Sequence, residues 1–260
     1  MSRKTDYSLL DQPHILRFVF YPRKDWTPPP PGATDYQIPV EQDVTIGARF
    51  YPTNKNAPSI LYFHGNGEVV YDHDEIATLY NRIGANLFVA DYRGYGKSTG
   101  APSFAGMVAD CHIIFKYFQD TLKHSGYSGS LFVMGRSLGS LSATELAANY
   151  PGELKGLIVE SGFASAVRLL TYLGGLMGFP FLEEFEKLTL DRIRSITIPA
   201  LIIHGEWDEI IPFEQGESLY QNIGSKDKKL LPIPNAGHND ILLVGMQQYF
   251  SAIAEFVSNS

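Results

Sequence analysis

Short apolar runs recur along this chain, and each breaks off at glycine or a polar residue. Ser59–Phe63, Asn86–Ala90, Leu131–Met134, Leu157–Val159, Ala200–Ile203 and Leu230–Ile233 are apolar at nearly every position. That pattern marks strands buried on both faces of a parallel sheet. Between them lie stretches of helical spacing: Asp74–Ile83, Ala105–Lys123, Leu138–Asn149, Glu214–Ile223 and Ile241–Val257. Strands and helices in alternation predict crossover units in an α/β fold with a doubly wound, mostly parallel sheet. Ahead of them, Tyr36–Val40 and Val44–Tyr51 predict an antiparallel pair joined by a turn. Arg17–Tyr21 predicts a short extra strand before the Pro28–Gly32 surface loop. With no internal repeat and no second boundary, residues 1–260 read as one domain whose longest gap between strands is Phe163–Arg194.

Composition narrows the classes. The 260 residues are 44% apolar and 19% charged, an ordinary globular balance. A net charge of −7 gives no electrostatic case for nucleic acid and disfavours anionic membrane surfaces. Cys111 is the only cysteine, so no internal disulfide forms and no cysteine cluster holds zinc; a buried, inert thiol is expected. Residues 1–6 lack the apolar core of a secretory signal, and no window is read as long enough to span a bilayer, so no stable membrane insertion and a cytoplasmic location are expected. Oligomeric state is left open.

Chemistry enters at Gly135-Arg136-Ser137-Leu138-Gly139, a G-x-S-x-G between an apolar run and a helix. A serine at a sharp strand-to-helix turn projects its hydroxyl above the sheet, and flanking glycines let backbone approach closely. The helix beginning there offers unpaired N–H groups and a positive dipole end to developing negative charge. Ser137 is therefore the candidate nucleophile, and it needs a base and an orienting acid.

Partners are sought where a parallel sheet collects ligands, at the carboxyl ends of its strands. Asp208 follows the strand ending Ile202-Ile203-His204-Gly205, and His238 lies in the loop after Leu230–Ile233. Chain order is then Ser137, Asp208, His238, with His238 as the base and Asp208 as its orienter. Glu160, at the end of Leu157–Val159, is the competing acid or a supporting group behind the site. One oxyanion donor is assigned to the N–H of Leu138. The other goes to Asn66 in His64-Gly65-Asn66-Gly67-Glu68, with Gly67 as the near alternative. His64 and His204 read as strand-end side chains bonding nearby backbone. His14, His112 and His124 read as helix-face or loop residues, and His73 as part of a solvated helix start. No H-E-x-x-H spacing occurs, and no metal or cofactor is expected. Asp91-Tyr92-Arg93-Gly94-Tyr95-Gly96-Lys97-Ser98 ends like a phosphate-binding loop but has Asp91 where that motif needs glycine.

Taken together, His64-Gly65-Asn66-Gly67, the Asp91–Ser98 segment, the Ser137 elbow, His204-Gly205-x-x-Asp208-x-x-x-Pro212 and Gly237-His238 resemble the α/β-hydrolase superfamily from about Tyr36 onward. The resemblance implies that Asp91–Ser98 is a structural turn. A serine rather than an aspartate at the elbow points away from the dehalogenase and epoxide-hydrolase branches. The resemblance also implies a short helical cap at about 163–194, whose Leu173, Met177 and Phe179 are expected to offer an apolar substrate wall. An amphipathic helix packed on the core is the duller account of that segment. The function implied is cleavage of a small-molecule carboxylic ester, of short to medium acyl chain, through an acyl-serine. A thioesterase or lysophospholipase would share every site residue, and a ligand-binding protein on the same fold is the alternative of another class.

Overall fold

The computed structural model describes residues 5–167 and 182–259. Its eight-stranded sheet comprises β1 (Thr34–Glu41), β2 (Val44–Tyr51), β3 (Ser59–Phe63), β4 (Asn86–Ala90), β5 (Leu131–Arg136), β6 (Gly156–Glu160), β7 (Ala200–Gly205) and β8 (Lys228–Ile233). Their spatial order is β1-β2-β4-β3-β5-β6-β7-β8. The β1–β2 and β2–β4 pairs are antiparallel, and the remaining pairs are parallel. The described helices are α1 (Pro13–Val19), α2 (Ile76–Arg82), α3 (Phe104–His124), α4 (Ser140–Asn149), α5 (Leu182–Arg194), α6 (Phe213–Asn222) and α7 (Ile241–Asn259). The doubly wound α/β architecture with leading antiparallel strands is thus observed.

Alternation along the strands divides the core in two. Leu61, Phe63, Val133, Val159 and Ile202 face one layer, which holds the buried sides of α1, α3, α4, α5 and α6. Ile60, Tyr62, Met134, Ile158, Leu201 and Ile203 face the other, which holds α2 and α7. Each such fully buried large side chain contributes about 1.5–3 kcal/mol, and the central strands β3 and β4 are buried at every position. Parallel register brings Phe63, Gly135 and Val159 level, so the loops leaving β3, β5, β6, β7 and β8 open on the same edge.

The structure corrects several expectations. Arg17–Tyr21 is not a strand: α1 occupies Pro13–Val19, and Phe20 closes it by donating its N–H to Leu16 O at 2.9 Å. Pro13 in the first turn presets the helix, while Ile15, fully buried, turns inward. A short apolar run fits either period, and here the neighbouring helix signal decides. Within the gap 163–194, α5 packs against α4 and α6, with Phe185 and Ile193 buried and Arg192 bonded to Glu145 at 2.5 Å. That half of the expected cap is therefore part of the core layer. Leu173, Met177 and Phe179 lie outside the described residues. Finally, α7 is long and apolar enough, by length and composition, to cross a membrane, contrary to the sequence reading. In the fold its Tyr249, Phe250, Ile253 and Val257 are buried against the sheet.

The N-terminal segment is docked by Asp11, whose carboxylate accepts the N–H groups of Phe104 at 2.7 Å and Ala105 at 3.2 Å at the start of α3. Asp11→Ala removes this cap. Its expected cost is about 1 kcal/mol, read as a fall of about 2–4 °C in the thermal midpoint. An unchanged midpoint would show that the segment is not docked through Asp11.

Candidate active site

The elbow is built by close backbone approach. β5 ends at Arg136, Ser137 takes a left-handed φ of +51°, a single helical turn covers Ser137–Gly139, and α4 follows. A Cβ at Gly135 would collide with the Gly139 carbonyl, and one at Gly139 with the Phe63 carbonyl of β3. Only glycine lets the turn close against both strands, which is why the motif has this spacing.

Two loops reach Ser137 from across the sheet. His238 Nε2 lies 3.0 Å from Ser137 Oγ, and His238 Nδ1 lies 2.7 Å from Asp208 Oδ2. Asp208 Oδ1 accepts the N–H groups of Ile210 at 3.0 Å and Ile211 at 2.7 Å, while His204 Nε2 stands 3.3 Å from Oδ2. Burial pushes the Asp208 carboxyl up. The His204 and His238 hydrogen bonds and the Ile211 N–H outweigh that and hold it well below the usual carboxylate range. An ionised Asp208 keeps the proton on Nδ1, so Nε2 is free to accept from the serine hydroxyl.

Ser137, Leu138, Asn66 and His238 line one cavity of about 380 Å3, within the roughly 300–1,000 Å3 span of small-molecule sites. Gly67, the alternative oxyanion donor, is not among the residues that line this cavity. Asn66, by contrast, sits on the cavity wall beside Ser137. A larger cavity of about 760 Å3, bordered by Tyr7, His112 and Arg192, is elsewhere and shares none of these residues.

Glu160 does not approach His238 Nδ1. Its carboxylate accepts from Arg136 Nε at 3.1 Å and from the Tyr249 hydroxyl at 2.7 Å. Arg136 in turn bonds Glu68, the His238 carbonyl at 2.8 Å and Asn239 Oδ1 at 3.0 Å. Burial alone would lower the guanidinium pKa; Glu68 and Glu160 more than reverse that. Glu68 also accepts the Gly65 N–H at 2.9 Å. In the sequence Arg136 and Glu68 stand only as unassigned positions in and beside the two glycine motifs. The signal was a cation inside the elbow with acids at two neighbouring strand ends, but pairing them requires the sheet register.

The other histidines divide. His64 Nδ1 meets Gly65 O at 2.8 Å and His204 Nε2 meets Ile211 O at 2.8 Å, the backbone roles expected of them. His73 is not solvated: it is 4% exposed, its ring lies on Tyr62, and its Nε2 is 3.6 Å from Glu68 Oε2. His112 has partners as well, in the Tyr150 hydroxyl at 3.0 Å and Glu145 at 3.4 Å. Asp91–Ser98 is a turn after β4, with buried Asp91 accepting the Val70 N–H at 3.0 Å.

Comparison with known proteins follows the geometry. Residues 54–179 and 179–242 match the family model described as serine aminopeptidase, S33. The chain is 34% identical over 212 residues to the Schizosaccharomyces pombe protein bem46, covering 79% of this chain and 69% of that one. It is 31% identical over 222 residues to human alpha/beta hydrolase domain-containing protein 17B, covering 82% and 71%. Among solved structures, the Pyrococcus furiosus esterase Pf2001 superposes with a TM-score of 0.74 at 19% identity, over 91% of this chain and 98% of that one; at that identity the likeness is one of fold. The elbow, the sheet order and these matches agree, and the chain belongs to the α/β-hydrolase superfamily and, within it, to the family of that model, beside bem46 and the human 17B protein.

Proposed function

We propose that this hydrolase cleaves carboxylic esters through a covalent acyl-serine. The observation that carries the reading is His238, which stands between Ser137 Oγ at 3.0 Å and Asp208 at 2.7 Å beside an apolar cavity. Ser137 Oγ attacks the ester carbonyl carbon as its proton passes to His238 Nε2. The resulting imidazolium is stabilised by Asp208, and the tetrahedral oxyanion is received by the N–H groups of Leu138 and Asn66. Collapse expels the alcohol, which takes the proton from His238. Water, activated by the same imidazole, then attacks the acyl-serine and frees the acid.

The cavity lining favours an ester over a peptide N-terminus. Among the described residues it carries no carboxylate to hold a terminal ammonium, and Phe18, Phe104, Leu138, Phe163 and Ile211 supply hydrocarbon instead. Thioesters and lysophospholipids would use the same groups, and matched oxygen and thiol esters of one acyl chain separate them. Short to medium acyl chains are the expected substrates, and a preference for long chains alone would overturn that part.

Arg136 fits this chemistry as a positioning residue. It holds the His238 backbone to the elbow and, through Glu68, the Gly65–Asn66 loop beside it. Preorganisation of this kind keeps the donors in place before charge develops.

Wild-type protein treated with a fluorophosphonate probe is expected to label, and Ser137→Ala is not; an unlabelled wild type would support the binding-protein alternative. Asp208→Asn is expected to lower kcat by about four orders of magnitude. Should Asp208→Asn remain active while Glu160→Gln is dead, the acid has been misassigned. Arg136→Lys keeps the charge but loses the planar fork. It is expected to lower kcat by about ten- to a hundredfold with KM little changed, as for supporting groups around a site. A rise in KM alone would point to substrate contact rather than positioning.

A further inference from the structure

The family match begins at residue 54, yet Phe18, Val19 and Tyr21 reach the Ser137 cavity. These residues come from the end of α1 and the two positions after it. Phe20 turns inward, 6% exposed, and sets its ring edge-on to Phe104 at 5.2 Å. Phe18 and Tyr21 remain 39% and 60% exposed. Both are large apolar side chains left uncovered at the mouth of a cavity, not scattered on an outer surface.

The segment is tied to the oxyanion loop by several bonds. Asn66 Nδ2 donates to the Val19 carbonyl. The Tyr21 N–H donates to Asn66 Oδ1 and to the Tyr95 hydroxyl, each at 3.1 Å, and Tyr95 itself donates to Asn66 Oδ1 at 2.6 Å. Arg23 Nη1 adds a bond to the Gly67 carbonyl at 3.1 Å. One residue therefore serves twice in this reading: the Asn66 N–H is the proposed oxyanion donor, while its side chain fixes the neighbouring wall. A wall held at this many points is rigid enough to discriminate by size.

We infer that residues 18–21 form the wall against which the acyl chain lies, and that Phe18 and Tyr21 set the chain length accepted. The inference rests on the acyl-serine reading and names the specificity determinant of that same site. In the acyl-enzyme the carbonyl carbon is bonded to Ser137 Oγ and the oxygen points to Leu138 and Asn66. The hydrocarbon then extends between the α1 end and Ile210–Ile211. Arg136, the one charged side chain among the described lining residues, is already bonded to Glu68 and Glu160, so the cavity suits a neutral acyl group rather than a charged one.

The test compares labelling rates of Ser137 by ethyl and octyl fluorophosphonates, expressed as the long-to-short ratio for each variant. Phe18→Ala opens the wall and is expected to raise the ratio about tenfold, and Phe18→Trp to lower it by a similar factor, as hydrocarbon-pocket changes of this size do. Tyr21→Ala, at a more exposed position, repeats the first result if Phe18→Ala does not fold. Ile113→Ala, on α3 and exposed away from the cavity, is the control that leaves the ratio alone. Ratios for the Phe18 and Tyr21 variants within about twofold of wild type, with folded protein and normal ethyl-probe labelling, would overturn the inference and leave the acyl-serine reading standing. A wild type that labels with neither probe would overturn both.

Discussion

The site hangs on one guanidinium, largely but not wholly buried. Arg136 is the variable residue of the elbow motif, yet it meets Glu68 from the β3 loop, Glu160 at the end of β6, and the His238 carbonyl and Asn239 from the β8 loop. Together with the elbow itself, these groups come from four separate stretches of chain. In a medium of low effective dielectric, a cation between two carboxylates is worth far more than on the surface, and stripping it away would leave buried charge uncompensated. The arrangement makes Ser137, His238 and the Gly65–Asn66 loop parts of one rigid body, although no two of them are close in sequence. The Glu160–Tyr249–Tyr80 chain, with hydroxyl contacts at 2.7 and 2.9 Å, carries that rigidity into α7 and α2.

How much of this was readable beforehand depends on the range of the interaction. The strands were legible because each is a run of apolar residues with a polar stop, and β3 and β4 match their predicted limits. The meeting of Ser137, His238 and Asp208 was legible because each sits just past a strand end, and a parallel sheet gathers strand ends at one edge. Where the outcome turned on pairing across the sheet, local pattern was silent. His73 looked like a solvated helix start because its neighbours are acidic, and only the fold shows it buried edge-on against Tyr62. Arg136 and Glu160 become level partners through the β5–β6 register, which no window of sequence contains. The N-terminal error has a local root: residues 13–21 carry both a helical and an extended pattern, and Pro13 in the first turn tips the segment into a helix.

Fold and specificity are divided along the chain. The fold is shared with a protein as distant as the Pyrococcus furiosus esterase at 19% identity. The wall of the cavity, by contrast, draws on the stretch before β1, ahead of the family match. A scaffold that leaves its chemistry at the strand ends can exchange such peripheral segments without disturbing the reacting groups.

The positive φ of Ser137 carries a cost of another kind. A non-glycine residue in the left-handed region is disfavoured by about 1–2 kcal/mol, and this one is held there by backbone packed tightly at Gly135 and Gly139. Glycine would relieve that strain at the loss of the hydroxyl, so stability and the proposed nucleophile pull against each other at this one position.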